Sequence, residues 1–345
     1  MNAITTEWRT DGIFAWNIGL PRFQSSTLVG MGLASKYAGV ETLVLRRVDV
    51  AEAFAAYANG DRLYDVAGAR HAFAPVASTD LGPRCLADPQ VFEDRFLREV
   101  HDDQVRAFDN GVARRGSAIR YWATLEASTY RYLFEYGFRE DLSLTCRLGA
   151  TGHNAFPRKP DGRDAHLHVG CWRLEFDLGG PADLVVETVE LDIDSNGRTS
   201  LNATEFNGGR EGGGKWNAER FTRLRVRRRT PSPAQTLVGY DLVPTRWGTA
   251  RALGGDDAAF ANDFWVTRGL PESANRWAPE LAYRDVAWCA AHAEPLEGHA
   301  PVVWVQSGFA HVPRGEDFGR VGDDNAQGVA VTMWAGVTLM PVWTR

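Results

Sequence analysis

YRYLFEYGFR, residues 130–139, alternates without a break. Its even positions are Tyr130, Tyr132, Phe134, Tyr136 and Phe138; its odd positions are Arg131, Leu133, Glu135, Gly137 and Arg139. A period of two places the five aromatic rings on one face of a β-strand. Such a face is first of all core packing. LSLTCRLGATG (142–152) follows at once and reads as the returning strand of a hairpin. Working outward, IRYWATLE (119–126), HLHVGCWRLEFDL (166–178), 183–192 and PVVWV (301–305) are also short and rich in β-branched or aromatic residues. Twelve tryptophans, nine tyrosines and 35 glycines fit strands and turns better than helices.

The chain has 345 residues, enough for one large domain or two ordinary ones. The only stretch resembling a linker is RRRTPSPAQ (227–235), and a basic run of that length is commonly a solvated strand end. The expectation is therefore a single domain over 1–345. Two helices are predicted: 87–108, opening at Asp88-Pro89 with apolar residues at helical spacing, and a shorter one around 49–58. NGGREGGGKW (207–216) reads as a mobile loop.

A net charge of −6 gives no sign of nucleic-acid or anionic-membrane binding. Cys85, Cys146, Cys171 and Cys289 are far apart with no Cys-x-x-Cys, which argues against a disulfide scaffold or a zinc ribbon. The first ten residues have neither a basic nor an apolar segment of the secretory kind, and no apolar run nears the ~18 residues of a membrane span. A cytoplasmic location is the expectation.

His166 and His168 are two apart on a predicted strand, so their imidazoles share a face. One further ligand would complete a clamp for copper, zinc, iron or nickel. Taken alone, the pair is equally compatible with two solvent-facing histidines. A Glu follows His168 only at position 175, too far for the His-x-His pattern of the cupins.

Six motifs in order give the chain a family resemblance. They are STYRY (128–132), LGATG (148–152), HLHVGCWRLEFD (166–177), VGYDLVP (238–244), FWVT (264–267) and GFAHVPRGED (308–317). Together they resemble the catalytic domain of copper amine oxidases. The resemblance implies an all-β fold, a large antiparallel β-sandwich (supersandwich) with few short helices, and a homodimer. The family's small N-terminal domains are expected to be absent. His311 becomes the third copper ligand beside His166 and His168. Tyr130 aligns with the tyrosine converted to topaquinone, a quinone whose carbonyl accepts a primary amine. The amine is then oxidised to an aldehyde, and O₂ is reduced to H₂O₂ with release of ammonia.

By the same resemblance VAEAFAAYANGDRLYDVAG (50–68) supplies Tyr57, whose hydroxyl holds a quinone oxygen, and Asp65, the base that takes the α-proton. Asp109 in AFDNG is a local mimic of the base motif, out of order. The substrate's approach is placed near Tyr57–Asp65 and 207–216. The chain departs from the family on either side of the quinone tyrosine, with Thr129 for Asn and Arg131 for an acid. On a strand both flankers turn away from the Tyr130 face. Glu175 and Asp177 mark a weakened calcium-type site, since a later acid is Ala300. Two alternatives stay open: a copper-binding tailoring oxidase in which Tyr130 is unmodified, and a non-catalytic metal- or ligand-binding homologue.

Overall fold

The aromatic stripe forms the strand Tyr130–Arg139, and its five rings are between 0% and 4% exposed. The structure is a computed structural model. It describes residues 5–10, 14–19, 22–24, 27–29, 32–37, 40–57, 60, 62–64, 73–74, 90–92, 96–127, 130–152, 165–230, 236–253, 258–269, 286–312 and 330–344.

Two large antiparallel sheets carry the fold. The first has eleven strands. Its middle runs Val112–Ala127, Tyr130–Arg139, Leu144–Gly152, Ala330–Trp343, Leu237–Pro244 and Arg223–Arg228. The second has nine, with Val40–Tyr57, His166–Phe176, Pro301–His311 and Phe264–Arg268 side by side. Among the described residues the one α-helix is Val286–Ala290.

The sheets pack face to face. The stripe on Tyr130–Arg139 shares its core cluster with Trp172, Leu174 and Phe176 of the facing sheet. Val169 and Cys171, on the opposite face of their strand, belong to a second cluster. Alternation thus sends the face bearing His166, His168 and Gly170 inward between the sheets. A Cβ on Gly170 would lie 2.8 Å from Leu148 Cβ across the sandwich and 2.7 Å from the Trp172 ring. Glycine at this position permits the close approach of the two sheets two residues from His168.

The pairing overrides both predicted helices. Residues 87–108 form no helix where they are described. Instead Gln90–Phe92 and Phe96–Asp109 are strands, the latter paired with Val112–Ala127. Asn110 (φ 49°) and Gly111 (φ 79°) make the tight turn between them. Residues 49–57 lie within the strand Val40–Tyr57, paired with His166–Phe176 on one side. Its alanine-rich end has high helix propensity. Ala53, Phe54, Ala55 and Ala56 are nonetheless all buried, and burial on both faces decides for the strand.

The glycine-rich segment is also more ordered than expected. Gly212–Gly214 pairs with Phe264–Arg268 at the far edge of the nine-stranded sheet. The buried Glu211 carboxylate accepts backbone N–H bonds from Arg268 (3.0 Å) and Glu294 (3.3 Å). The basic run near 227 ends a strand, as expected. Its neighbouring strands Arg223–Arg228 and Leu237–Pro244 pair with each other, so the run connects a hairpin; 231–235 lie outside the described residues.

Candidate metal centre

Register brings the histidines together. His166 opens its strand and is paired directly with His311, the last residue of Pro301–His311. On its other side His166 is paired with Tyr57, the last residue of Val40–Tyr57. Tyr130 opens its strand in the facing sheet. Four strand ends therefore meet at one end of the sandwich. Ala55 is opposite His168 and Ala53 is opposite Gly170, so small side chains leave room for the imidazoles.

One ligand atom from each of His166, His168 and His311 lies within 4.8 Å of the others. All three residues are buried, at 5%, 0% and 4% exposure. His311 Nδ1 is 3.2 Å from His166 Nε2 and 2.9 Å from the Tyr130 hydroxyl. The Tyr130 ring packs on all three imidazoles, with centroids 5.0 to 6.1 Å apart. Tyr57 stacks on His166 at 4.8 Å and 27°.

His168 Nδ1 is 3.2 Å from the Tyr132 hydroxyl, whereas His168 Nε2 is buried with no hydrogen-bond partner. Desolvation, together with the neighbouring His166 and His311, holds the His168 pKa well below the ordinary histidine value. The imidazole is thus neutral near pH 7, the form a metal requires. Three buried imidazoles and one bare ring nitrogen fit a borderline, nitrogen-preferring ion, copper included.

Arg131 is exposed and its guanidinium lies 2.6 Å from Glu126, on the side away from the cluster, as strand alternation predicts. Thr129 lies outside the described residues. So does Asp65, although the strand Arg62–Tyr64 just before it pairs with Phe54–Ala56. This puts Leu63, Ala55 and His168 in one row across three neighbouring strands, about 10 Å from first to last. Asp109 is at the tip of the hairpin Phe96–Asp109/Val112–Ala127, and the opposite end of that hairpin, Ala127, faces Tyr130. Fifteen residues of strand separate the two ends, on the order of 50 Å.

The suggested calcium pair does not form an oxygen cage. Asp177 Oδ2 accepts a 2.6 Å bond from Arg46 Nε, and its Oδ1 accepts the Gly179 N–H. Glu175 is 3.5 Å from Arg173. Guanidinium groups already supply the positive charge there, and a hard cation needs several free oxygens. Residues 207–216 lie at the sheet edge beyond Phe264–Arg268, away from the cluster. Tyr132 is the site residue that the period-two pattern assigns to core packing alone. Its spacing of two from Tyr130 is the signal that could have found it.

The comparisons agree with this geometry. The family pattern described as "Copper amine oxidase, enzyme domain" matches residues 99–342. A primary amine oxidase from Klebsiella aerogenes is 23% identical over 249 residues, covering 59% of this chain and 32% of that protein. A copper-containing benzylamine oxidase from Hansenula polymorpha superposes with a TM-score of 0.71 at 16% identity. That match covers 97% of this chain and 60% of the oxidase. An amine oxidase from Aspergillus nidulans gives a TM-score of 0.65 at 19% identity, over 95% of this chain and half of the other. The chain thus spans between about a third and three fifths of the length of these relatives. With the family's sequence pattern over most of its length and its sandwich fold around a buried three-histidine cluster, the chain belongs to the copper amine oxidases.

Proposed function

We propose that this chain is a copper-dependent oxidase of a primary amine, with His166, His168 and His311 as the metal ligands and Tyr130 as the source of the quinone. The observation that carries the proposal is the Tyr130 hydroxyl, 2.9 Å from His311 Nδ1 and enclosed by three buried imidazoles. Bound copper would activate the Tyr130 ring toward O₂, and the resulting quinone would supply an electrophilic carbonyl for the amine.

The remaining work falls to the chain's own side chains. His166, His168 and His311 would hold the metal from buried positions within the sandwich. Tyr57, stacked on His166, is proposed to orient the quinone through its hydroxyl. Asp65 is proposed as the base that takes the α-proton of the bound amine. The overall balance is RCH₂NH₂ + O₂ + H₂O → RCHO + NH₃ + H₂O₂. A homodimer is proposed on the family resemblance alone.

The test is aerobic loading of copper-free protein with Cu(II). The expected result is one copper per chain, a visible quinone absorption, and a phenylhydrazine adduct on the Tyr130 peptide. That peptide should gain two oxygens and lose two hydrogens by mass. His168→Ala should take up no copper at this site. An unmodified Tyr130 in fully loaded, air-exposed protein would overturn the amine-oxidase proposal and leave a copper protein with an intact tyrosine. Absence of copper uptake by the wild type would overturn the metal assignment too.

A further inference from the structure

We propose that Tyr132 is a positioning residue for the metal centre: its hydroxyl holds the His168 proton on Nδ1 and so presents Nε2 bare to the ion. The inference deepens the copper assignment above and rests on it.

Two tyrosines, two apart on one strand face, serve different histidines. The Tyr130 hydroxyl lies on His311 Nδ1, and the Tyr132 hydroxyl lies 3.2 Å from His168 Nδ1. The Tyr132 and His168 rings meet edge to face, with centroids 5.5 Å apart and planes at 79°. Tyr132 is 1% exposed and His168 is fully buried, so water does not compete for this contact. The pleat makes the double arrangement possible, since residues i and i+2 stand side by side facing the same neighbour sheet.

A neutral imidazole has one N–H and one lone pair, on different nitrogens. With Nδ1 occupied by Tyr132, Nε2 is the ring nitrogen left for a ligand, and it has no hydrogen-bond partner in the protein. Two tautomers are possible. With the proton on Nδ1, the N–H is donated to the phenol oxygen and Nε2 carries the lone pair a metal needs. With the proton on Nε2, the phenol donates to Nδ1, and a buried N–H is stranded where the ligand atom must be. In the first arrangement the Tyr132 oxygen accepts the bond and no buried N–H is stranded at the ligand position, and this is the arrangement inferred. Outer partners of this kind commonly change metal affinity by about 10–100-fold when removed.

Tyr132→Phe keeps the ring packing and removes only the hydroxyl. Copper affinity, measured by competition with a chelator of known strength, should fall by about 10–100-fold. The Cu(II) spin-resonance spectrum should change with it. Tyr136→Phe, further along the same face, should match the wild type in both. Independently of any variant's stability, ¹⁵N shifts of copper-free wild type should place the His168 proton on Nδ1, the signal being assigned by its loss in His168→Gln. Wild-type affinity in folded Tyr132→Phe, or a His168 proton on Nε2 in the wild type, would overturn the inference. If the wild type takes up no copper, the copper assignment fails, and the tautomer measurement still decides the role of Tyr132.

Discussion

The Tyr130 hydroxyl and His311 Nδ1 are 2.9 Å apart although 181 residues separate them in the chain. Tyr130 belongs to the eleven-stranded sheet and His311 to the nine-stranded one. The contact therefore bridges the sandwich, and its geometry is only as good as the spacing between the sheets. Anything that pushes the sheets apart should loosen the metal centre before it unfolds the protein.

Gly170→Ala tests that coupling. The added methyl would meet Leu148 Cβ at 2.8 Å and the Trp172 ring at 2.7 Å. Leu148 is on the facing sheet, so the strain acts across the sandwich. Overpacking of this kind typically costs about 1–3 kcal/mol. Urea unfolding should show that loss, and copper affinity should fall alongside it. Undiminished copper binding in a destabilised Gly170→Ala would mean that the strain is absorbed elsewhere.

The tip of the long hairpin gives the opposite case. Gly111 has φ of 79°, and a Cβ there would meet no atom within 4 Å, so a side chain is strained by the backbone alone. Gly111→Val should cost about 1–3 kcal/mol through that strain. Its distance from Tyr130 predicts no change in copper affinity or in the Cu(II) spectrum. A clear change in the spectrum would contradict the register that separates the two ends.

The strands around 130–139 and 166–176 were legible because their faces differ sharply, aromatic or histidine-bearing on one side and mixed on the other. Six ordered motifs single out Tyr130, His166, His168 and His311, and the structure brings these four side chains together. Residues 49–57 and 87–108 misled because alanine at 53, 55 and 56, and Phe and Leu near 96, carry helical signals locally. Their strand identity comes from partners far away in sequence, such as Ala55 opposite His168. Asn110-Gly111 was the local sign of a hairpin that apolar spacing outweighed. The pairing of Arg46 with Asp177 lay beyond reach, since the two are 131 residues apart and only the fold joins them.

Copper-free protein should lose stability as the pH falls. Desolvation and the adjacent His166 and His311 hold the His168 pKa well below 6.5 in the native state, whereas the unfolded chain titrates near that value. Below pH 6.5 the unfolded state therefore binds a proton that the native state refuses. Stability rises with pH through this window and is lost on acidification, by up to about 1.4 kcal/mol per pH unit for one such site. Denaturant midpoints of the copper-free wild type should drop between pH 7 and 5 more steeply than those of His168→Gln. Equal slopes would show that His168 gains its proton in the folded state as readily as in the unfolded one.

The choice of base separates two carboxylates by position. Asp65 follows the strand Arg62–Tyr64, whose Leu63 shares a row with Ala55 and His168. Asp109 is at the hairpin tip, about fifteen strand residues from the pair Ala127–Tyr130. Proton abstraction needs hydrogen-bond reach, which no side chain at the tip has within its own chain. Asp65→Asn should retain copper and the phenylhydrazine adduct on Tyr130, since neither needs the base. Its turnover of simple primary amines, followed by H₂O₂ release, should fall by about 10²–10⁴-fold. Asp109→Asn should keep wild-type turnover. A silent Asp65→Asn together with an inactive Asp109→Asn would reverse the assignment, and would require the hairpin tip of a second subunit to reach the cluster.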